Sequence, residues 1–332
     1  MKTPDISVVV CTFNRAAMLR EALASLYNLA TDERFTYEVL VVDNASTDTT
    51  SEVIAAAAAE ARCPLRGVHE SRKGIVHARN RGVEEARGQW IAFFDDDQLA
   101  DSRWLTELHA MADRKDCRAV GGAVHLKLPV DCQRELAPMC RMLLGESVWS
   151  DRPFRYSKRI GPGAGNLMLH RSVFDEIGSF DAAVGSRGED TELFLRAHAA
   201  GIEAWYVPTA IVLHVTPAER LETPFLLNLA RRMGVGIGRL ELAERSRVLF
   251  LARWLAKGFR TALWQMPRWL ATRALGAQEA ALGRECQLAV AQGYASIGWE
   301  LLAGHRKTKQ QPATLPEKLV PSTTAAKCEV SR

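Results

Sequence analysis

The chain has 332 residues, of which 47% are hydrophobic and 25% are charged, so it is long enough and apolar enough to fold around a large core. Its formal net charge of +4 is too small to indicate a nucleic-acid-binding protein. The charge is uneven, because residues 1–219 carry 25 basic and 31 acidic side chains, whereas residues 220–310 carry 15 basic and 6 acidic ones. This asymmetry suggests a basic appendage that faces an anionic partner or surface.

The seven cysteines show neither a C-x-x-C pair nor the spacing of metal ligands, which predicts reduced thiols in a cytoplasmic protein. A basic segment followed by a long apolar one is missing at the N-terminus, so we expect no signal peptide. No uncharged apolar run approaches the roughly 18 residues that span a bilayer. We therefore expect a cytoplasmic protein, with any membrane contact peripheral and on the inner face.

In the first hundred residues, four apolar runs alternate with helical patterns. Strands are predicted at residues 6–11, 37–43, 65–69 and 90–94. Helices are predicted through Leu19, Leu23 and Leu26, from the turn and N-cap residues 44–48 to about residue 61, and at 75–87. This β-α alternation with short connections predicts an α/β fold with a mostly parallel, twisted sheet and helices on both faces.

The pattern from residue 101 to residue 215 is less regular. Helices are predicted at 101–113, 172–177 and 189–200, and strands at 119–127, 167–170, 205–207 and 211–215. Residues 129–160 have a mixed composition that assigns no element. The glycines at 161, 163 and 165 predict a flexible loop before the strand at 167–170.

Beyond residue 220 the pattern is helical and basic. Residues 245–273 place Arg253, Lys257, Arg260 and Arg268 near one helical face, with Leu and Trp side chains around the rest. Two interpretations stay open: a helix that lies in an anionic membrane interface, or helices that pack on the preceding domain with a solvated basic face. From about residue 306 the polar composition predicts a disordered tail.

Three consecutive carboxylates, Asp95, Asp96 and Asp97, follow the apolar run 91–94. Like charges repel, and a divalent cation with oxygen ligands, Mg²⁺ or Mn²⁺, would remove that repulsion. Ligand sites of open α/β sheets lie beyond the carboxyl ends of strands, where this run falls. The alternative is an acidic turn in which Asp97 or Asp101 caps the next helix.

Other polar segments follow the predicted strands at the same end. Residues 12–15 and 43–46 offer amides, hydroxyls and a carboxylate for a nucleotide. In residues 73–80, Gly74 permits a close backbone approach and the following helix N-terminus favours an anion. The alternative for the last segment is a solvated, arginine-rich helix.

A second acidic cluster stands at residues 188–192, far from the first in sequence. One group of acids for a cation and another for a base is the arrangement of a metal-assisted displacement. His214, on the last predicted strand, could complete the metal ligands through a ring nitrogen. Acids at a helix N-terminus and a histidine in a core are, however, also common without catalysis.

Taken together, these segments resemble the family 2 glycosyltransferases of GT-A fold. The motifs that carry the resemblance are VVVCTFNR (8–15), VVDNASTD (41–48), ARNRG (78–82), FFDDD (93–97), GN (165–166) and GEDTEL (188–193). They occur in the family's order over residues 5–215. The stretch VLHVTPAER (212–220) resembles the exopolysaccharide enzymes of this family, such as the succinoglycan type, and the Q-x-x-R-W motif of processive synthases is missing.

The resemblance implies a metal-dependent, inverting enzyme that moves one hexosyl group from a nucleotide-diphosphate sugar, most often a UDP-sugar, to a saccharide or lipid-linked acceptor, as in exopolysaccharide synthesis. The expected nucleotide-sugar-binding residues are Thr12, Asn14, Arg15, Asp43, Gly74, Arg79, Asp95 and Asp96. Asp95 and Asp97 would bind Mg²⁺ or Mn²⁺, together with His214. Asp190 would be the general base beside Glu189, and Gly165, Asn166 and Glu189 would bind the acceptor.

The implied organisation is a GT-A domain at 1–220, with a nucleotide-sugar half at about 1–100 and an acceptor half at about 101–220. A helical extension at 221–305 and the tail at 306–332 would follow. A dinucleotide-dependent oxidoreductase is excluded by the lack of G-x-G-x-x-G after the first strand, and a P-loop NTPase by the lack of G-x-x-x-x-G-K-[ST]. A nucleotidyltransferase and a catalytically inactive sugar-binding module remain as alternatives.

Overall fold

A nine-stranded sheet is the centre of the computed structural model, which describes residues 3–27, 29–184 and 188–303. Its strands are β1 (Ile6–Thr12), β2 (Tyr37–Asp43), β3 (Leu65–His69), β4 (Trp90–Asp95), β5 (Gln98–Ala100), β6 (Ala119–Lys127), β7 (Phe154–Arg155), β8 (Asn166–His170) and β9 (Ala204–Val215). They lie in the order β3-β2-β1-β4-β8-β6-β9-β5, and β7 pairs with β9. The tail predicted from residue 306 lies outside the described residues.

Helices cover both faces of the sheet. They are α1 (Ala16–Leu26), α2 (Thr50–Glu60), α3 (Ile75–Glu85), α4 (Trp104–Lys115), α5 (Pro138–Leu143), α6 (Arg171–Ile177) and α7 (Glu189–Ala199). Alternate residues of β1 point to opposite sides, so Val8 packs with α1, α2 and α4 whereas Val9 packs with α3, α6 and α7. Strands buried on both faces explain the uninterrupted apolar runs in the sequence. The predicted α/β class with helices on both faces is confirmed.

The first four strands in the sheet, β3, β2, β1 and β4, are parallel, as the β-α alternation requires. The remainder is mixed, because β8 runs antiparallel to both β4 and β6 while β6 and β9 are parallel. An antiparallel β8 places the turn before residue 166 beside the carboxyl end of β4. The loop of residues 161–165 is thereby brought next to the acidic run.

The two short strands predicted at 205–207 and 211–215 are in fact one strand, β9. Its pairing with β6 jumps from Gly122–Val207 to Ala123–Ile211, so residues 208–210 form a bulge that holds Pro208. Proline in a sheet is tolerated at such bulges. The expectation of two strands was wrong because a bulge shifts the register without ending the strand.

After the sheet come α8 (Thr223–Glu244), α9 (Arg247–Arg260), a π-helical turn (Thr261–Gln265), α10 (Met266–Ala274) and α11 (Gln278–Leu302). α8 and α11 pack so closely that a Cβ atom added to Gly234 would lie 2.0 Å from the carbonyl oxygen of Val290. A Cβ atom on Gly293 would lie 2.0 Å from the carbonyl oxygen of Arg231. Small residues are therefore required along this seam.

The extension is anchored to the rest of the protein through α5. Cys140 and Leu143 of α5 pack in one buried cluster with Leu226 of α8 and with Leu282 and Cys286 of α11. This part of the extension therefore fits the packed interpretation. The π-turn and the helices on either side of it differ, because they leave large apolar side chains in solvent. No helix among the described residues is long and apolar enough to cross a bilayer.

Candidate active site

The predicted binding segments meet at one edge of the sheet because the parallel strands end there in register. Thr12 at the end of β1 pairs with Asp43 at the end of β2, and Cys11 pairs with Asp95 at the end of β4. The loops after these strands therefore start side by side. Such an edge is where ligands bind in open α/β sheets.

The first two loops are tied together by hydrogen bonds. The backbone N–H of Thr47 donates to Asn14 Oδ1 at 2.7 Å, and the N–H of Asn14 donates to Ser46 Oγ at 3.0 Å. Asp43 Oδ1 accepts from the N–H of Ser46 at 2.9 Å. Asn14 adopts a left-handed conformation, with φ at 52°, which asparagine tolerates better than most residues. Asn14 thus shapes the surface formed by the loops after β1 and β2, which we call the shelf and which can hold a nucleotide.

Gly74 is held next to this shelf by Asn44, a buried residue that the sequence analysis did not single out. The Gly74 N–H donates to Asn44 Oδ1 at 2.7 Å, and Asn44 Nδ2 donates to the carbonyl oxygen of Arg72 at 2.7 Å. Gly74 has φ at 130°, which a residue with a Cβ rarely adopts. The glycine is therefore needed for the backbone path into α3.

Each carboxylate of the acidic run already faces an arginine. Asp96 Oδ1 accepts from Arg15 Nη1 at 2.8 Å, Asp95 Oδ1 lies 3.5 Å from Arg79 Nη2, and Asp97 Oδ2 lies 3.5 Å from Arg220 Nη1. Repulsion between the three acids, which suggested a cation in the sequence analysis, is thus relieved within the protein. A cation site is therefore indicated only by the chemistry of the donor atoms.

Burial raises the pKa values of Asp95 and Asp96, against the opposing charges of Arg79 and Arg15. Asp97 behaves differently. Burial would raise its pKa as well, but the hydrogen bond from His214 and the nearby positive charges prevail and lower it to about 2. Asp97 is therefore a carboxylate at neutral pH.

His214 and Asp97 form a pair of donors suited to a divalent cation. The Nδ1–H of His214 donates to the carbonyl oxygen of Leu144 at 2.8 Å, and Nε2 lies 3.4 Å from Asp97 Oδ2. In the protonated ring Nε2 donates to that carboxylate, and in the neutral ring its lone pair would be offered to a cation. Carboxylate oxygens suit Mg²⁺ and Mn²⁺, whereas an imidazole nitrogen is a ligand for transition-metal ions. Across the described ranges no group of three or more histidine, cysteine or acidic side chains is close enough to count as a complete metal cluster.

Arg220, which the sequence analysis quoted only within a motif, joins this pair. Its Nη1 lies 3.4 Å from His214 Nε2 as well as near Asp97. It comes from the short 3₁₀ helix Ala218–Leu221 after β9. Only the antiparallel pairing of β5 with β9, which sets Gln98 opposite His214, brings it to the acidic run.

Arg79 connects the first acidic group to the second. Its buried guanidinium contacts Glu189 Oε1 at 2.5 Å through Nη1 and Asp95 through Nη2. Burial raises the pKa of Glu189, although Arg79 opposes that shift. The other oxygen of Glu189 is buried without a hydrogen-bond partner in the described structure. Arg79 therefore fixes α3, β4 and α7 relative to each other.

Asp190 faces the same cleft, and a glycine-rich turn of residues 163–165 separates it from Asp95. The Ala164 N–H points to Asp190 Oδ2 at 3.4 Å. A Cβ atom added to Gly165 would lie 2.4 Å from Asp95 Oδ2, so this turn contacts both carboxylates. Asp190 is also near enough for its charge to add to the raised pKa of Asp95. Asp190 is only partly buried and remains open to a substrate.

Asn166, expected to bind the acceptor, is instead a buried structural residue. Its Nδ2 donates to the carbonyl oxygens of Ala123 at 3.0 Å and Ala210 at 2.9 Å, and its Oδ1 accepts from Trp104 Nε1 at 2.8 Å. The amide thereby satisfies the carbonyl groups that the bulge in β9 leaves unpaired. A side chain used in this way is not available to a substrate.

The structure thus brings together Arg15, Arg79, the acidic run, Glu189, Asp190 and His214. Beside them are Thr12, Asn14 and Asp43, at the ends of β1 and β2, and Gly74 next to those loops. Of the expected site residues, Asn166 alone turns away. Asn44 and Arg220 are additions to the site.

Comparisons with known proteins show the family to which the chain is similar. The profile of Glycosyl transferase family 2 matches residues 7–178. The succinoglycan biosynthesis protein ExoM of Rhizobium meliloti is 30% identical over 251 residues, which is 75% of this chain and 78% of ExoM. The glycosyltransferase AglE of Haloferax volcanii is 27% identical over 263 residues, covering 77% of this chain and 81% of AglE.

Two solved structures share the fold. The mannosyltransferase PcManGT of Pyrobaculum calidifontis, in complex with GDP-Man and Mn²⁺, superposes with a TM-score of 0.58 at 21% identity, over 91% of this chain and 88% of its own. GalNAc-T7, with UDP, GalNAc and Mn²⁺, gives 0.53 at 19% identity, over 69% of this chain and 47% of its own. The extent of the profile match and the identity to ExoM show that the chain is an enzyme that belongs to glycosyl transferase family 2.

Proposed function

We propose that the protein is a metal-dependent, inverting glycosyltransferase that moves one sugar from a nucleotide-diphosphate sugar to a saccharide or lipid-linked acceptor in cell-surface or exopolysaccharide synthesis. The observation that carries the proposal is the opposition of two acidic groups across the turn of residues 163–165. On one side are Asp95, Asp97 and His214, and on the other is Asp190.

The donor would lie on the shelf formed by the loops after β1 and β2. Asp43 would accept hydrogen bonds from the base or ribose, and Asn14 and Ser46 keep the two loops at a fixed spacing. A UDP-sugar is the favoured donor. GalNAc-T7 was crystallised with UDP and PcManGT with GDP-Man, so nucleotide-diphosphate chemistry is common to both structural neighbours.

A cation, Mg²⁺ or Mn²⁺, would be held by Asp95, Asp97 and His214 Nε2, and both structural neighbours contain Mn²⁺. When bound, it would neutralise the charge that develops on the leaving diphosphate. Arg15 and Arg220 contact the carboxylates from the more open side, with side chains 40% and 24% exposed, and can turn toward a phosphate oxygen. Arg79 keeps Asp95 in place from the buried side.

Asp190 would accept the proton of the acceptor hydroxyl while that oxygen attacks the anomeric carbon from the face opposite the nucleotide. The Thr191 N–H donates to Asp190 Oδ1 at 2.7 Å, and Asp190 lies in the first turn of α7. A single displacement inverts the anomeric centre, so an α-linked donor gives a β-linked product. Glu189, held by Arg79, would support the acceptor side of the cleft.

The experiment that tests the proposal is a screen of nucleotide sugars for thermal stabilisation with and without Mn²⁺, followed by assay of nucleotide release. A donor present at 100 times its Kd should stabilise the fold by about 2.7 kcal/mol. Stabilisation should require the cation and disappear in Asp97→Ala, whereas Asp113→Ala, a change on the exposed side of α4, should behave as wild type. If no nucleotide sugar stabilised the protein with the cation present, the proposal would fail.

Release of a nucleoside diphosphate also separates this proposal from the nucleotidyltransferase alternative, which would release pyrophosphate. A catalytically inactive sugar-binding module would bind the donor without releasing any product. The product assay therefore decides among the three.

We further propose that the enzyme works at the inner face of the cytoplasmic membrane. This proposal is supported by a set of exposed apolar side chains in residues 247–275. We call them the outer face of the extension, and they are Val248, Leu249, Leu263, Leu270 and Leu275. Their exposures run from 47% to 82%, and they stand among arginines, the composition of an interfacial helix. Burying one such side chain in lipid is worth about 1.5–3 kcal/mol.

Flotation with anionic vesicles tests the membrane proposal. The double change Leu263→Ser and Leu270→Ser should abolish flotation without lowering the melting temperature, because both side chains are exposed. Val130→Ser removes a fully exposed valine from a loop of the sheet domain and is the matched control. Equal flotation of all three proteins would overturn the proposal.

A further inference from the structure

A groove runs between α9, the π-turn and α11, with a volume of about 720 Å³. Its walls are mainly apolar and include Trp254, Leu255, Phe259, Leu288 and Trp299. The volume lies within the range of about 300–1,000 Å³ that is usual for small-molecule sites. A second cavity of about 570 Å³ shares Ile237, Arg260, Gln265, Gln287 and Val290 with it.

The two cavities differ in charge. The second one is lined by Arg260, Arg268 and Arg284, and none of these has a carboxylate partner within the described residues. Other basic side chains near the groove are paired: Arg253 and Lys257 with Glu241 inside the extension, and Arg134, which precedes α5, with Glu279 of α11. One continuous groove therefore has an apolar end and a cationic end that lacks counter-charges.

The helix between the two ends is irregular where it lines the groove. Residues 261–265 form a π-helical turn, a feature that often marks functional sites. Two polar atoms here are buried without a hydrogen-bond partner in the described structure: Oε1 of Gln265, which lines both cavities, and Nε of Arg284. Buried polar atoms without partners are costly unless a ligand satisfies them.

The cationic end lies next to the active site through α5. Met139 and Met142 of α5 line the second cavity. Immediately after α5, the carbonyl oxygen of Leu144 accepts the hydrogen bond from His214 Nδ1. One short helix therefore separates the arginines from the proposed cation ligand.

Building on the proposed function, we infer that this groove binds the lipid portion of the acceptor, with one hydrocarbon chain at the Trp254–Trp299 end and its phosphate at Arg260, Arg268 and Arg284. Charge complementarity selects this occupant. An apolar chain matches the first cavity and an anionic head matches the second, whereas a neutral lipid would leave the arginines unpaired. The saccharide attached to the phosphate would then extend past α5 toward Asp190.

Calorimetric titration of the full chain with farnesyl phosphate tests the inference. A chelator is included so that the acidic run cannot bind the head group through a cation. We expect binding to wild type, and binding of inorganic phosphate at least about tenfold weaker, a loss of about 1.4 kcal/mol. Binding of inorganic phosphate as tight as that of farnesyl phosphate would show a phosphate site without a chain site and would overturn the inference.

Gly258→Trp fills the apolar end. A Cβ atom at Gly258 meets nothing within 4 Å, so the change should not disturb folding. It should weaken farnesyl phosphate binding about tenfold or more. Gly236→Trp is the matched control, because Gly236 also has no atom within 4 Å of its Cβ position but does not line either cavity. Equal affinities of the two variants would contradict the chain site.

The head-group end is tested by Arg260→Ala combined with Arg268→Ala, with Arg239→Ala on α8 as the control. The double change should weaken farnesyl phosphate binding about tenfold or more, because charge-assisted hydrogen bonds to the phosphate are lost. Unchanged binding would refute the assignment. Stabilisation by a nucleotide sugar with Mn²⁺, measured on the same variants, should be as in wild type, so failure of the groove is distinct from failure of the glycosyltransferase proposal.

Vesicles separate a single-lipid site from a general membrane surface. Phosphatidylglycerol vesicles should bind wild type and Gly258→Trp equally, because the outer face is unchanged. If Gly258→Trp lost vesicle binding and farnesyl phosphate binding in parallel, the groove would be part of the membrane surface and not a site for the acceptor lipid.

Discussion

The cleft at the end of β4 and the groove beside the π-turn are both rich in arginine, but they treat those charges in opposite ways. In the cleft, Arg15, Arg79 and Arg220 all contact carboxylates. In the groove, Arg260, Arg268 and Arg284 contact none among the described residues. The cleft is thus organised before substrate arrives, whereas the groove holds arginines that are available to an anionic ligand.

The largest predicted loss of activity is that of Asp190→Asn. The arrangement of the cleft promotes transfer only if Asp190 accepts the proton of the acceptor hydroxyl. We expect transfer to fall by about 10²–10⁴-fold, the usual contribution of a general base, while donor binding is retained. Steady-state rates and donor titrations measure both. Glu192→Gln removes a negative charge from the same first turn of α7, where it pairs with Arg196, and should keep most activity. Near-wild-type turnover of Asp190→Asn would remove the assignment.

Gly165→Ala asks how tightly the cleft is packed. The new Cβ atom would lie 2.4 Å from Asp95 Oδ2 and must displace that carboxylate. A displacement of about 1 Å can cost about 10²-fold in rate, and metal-dependent donor binding should weaken as well. Gly163→Ala is the control two residues away, since its Cβ would meet Asp190 Oδ2 at an ordinary 3.8 Å. Equal activity of the two variants would show that the turn does not position Asp95.

Two glycine substitutions test the close packing of α8 against α11, the helix that forms one wall of the groove. Gly293→Ala forces a methyl group to within 2.0 Å of the carbonyl oxygen of Arg231 and should destabilise the extension by about 1–3 kcal/mol. Gly236→Ala, with open space around it, should stabilise α8 by up to about 1 kcal/mol. Thermal unfolding followed by circular dichroism gives both signs. Destabilisation by Gly236→Ala, or none by Gly293→Ala, would contradict the close packing.

The last prediction concerns the pH dependence of stability that arises from Glu241, which pairs with Arg253 and Lys257. Burial would raise the pKa of Glu241, but hydrogen bonds from Lys257, Tyr294 and Arg253 lower it to about 2. Because the folded-state value is below the ordinary value of 4.5, the stabilisation is complete above pH 4.5 and is lost as the pH falls toward 2. Unfolding curves of wild type and Glu241→Gln should therefore diverge above pH 4.5 and converge near pH 2. Parallel curves over that interval would show that Glu241 is not stabilised as described.

The sequence was most informative where a local pattern decides the structure. The apolar run 91–94 followed by Asp95 predicted a buried strand with carboxylates at its carboxyl end. Ligand sites of α/β sheets lie at such strand ends. The buried faces of β1 and β2 followed from the same kind of run. These expectations needed no knowledge of distant contacts.

Features that depend on distant pairing were missed or misread. Arg220 reaches Asp97 only because β5 lies antiparallel to β9, and no local pattern reveals that register. Asn166 belongs to a recognisable motif, but its burial follows from a bulge whose residue Ala210, 44 positions away, has a carbonyl oxygen that Asn166 satisfies. Residues 129–160 gave no prediction because α5 and β7 are too short to show a period.

Strand β8 is joined to β4 on one side and to β6 on the other, and the turn before it contacts both carboxylates of the cleft. The spacing of the reactive groups is consequently set by two neighbouring strands and three residues of turn. Within the chain between β6 and β8, residues 163–165 and Leu144, whose carbonyl oxygen accepts from His214, take part in that spacing. Exposed stretches of the same chain, residues 151–153 and 157–159, can differ in length and composition during evolution without altering it.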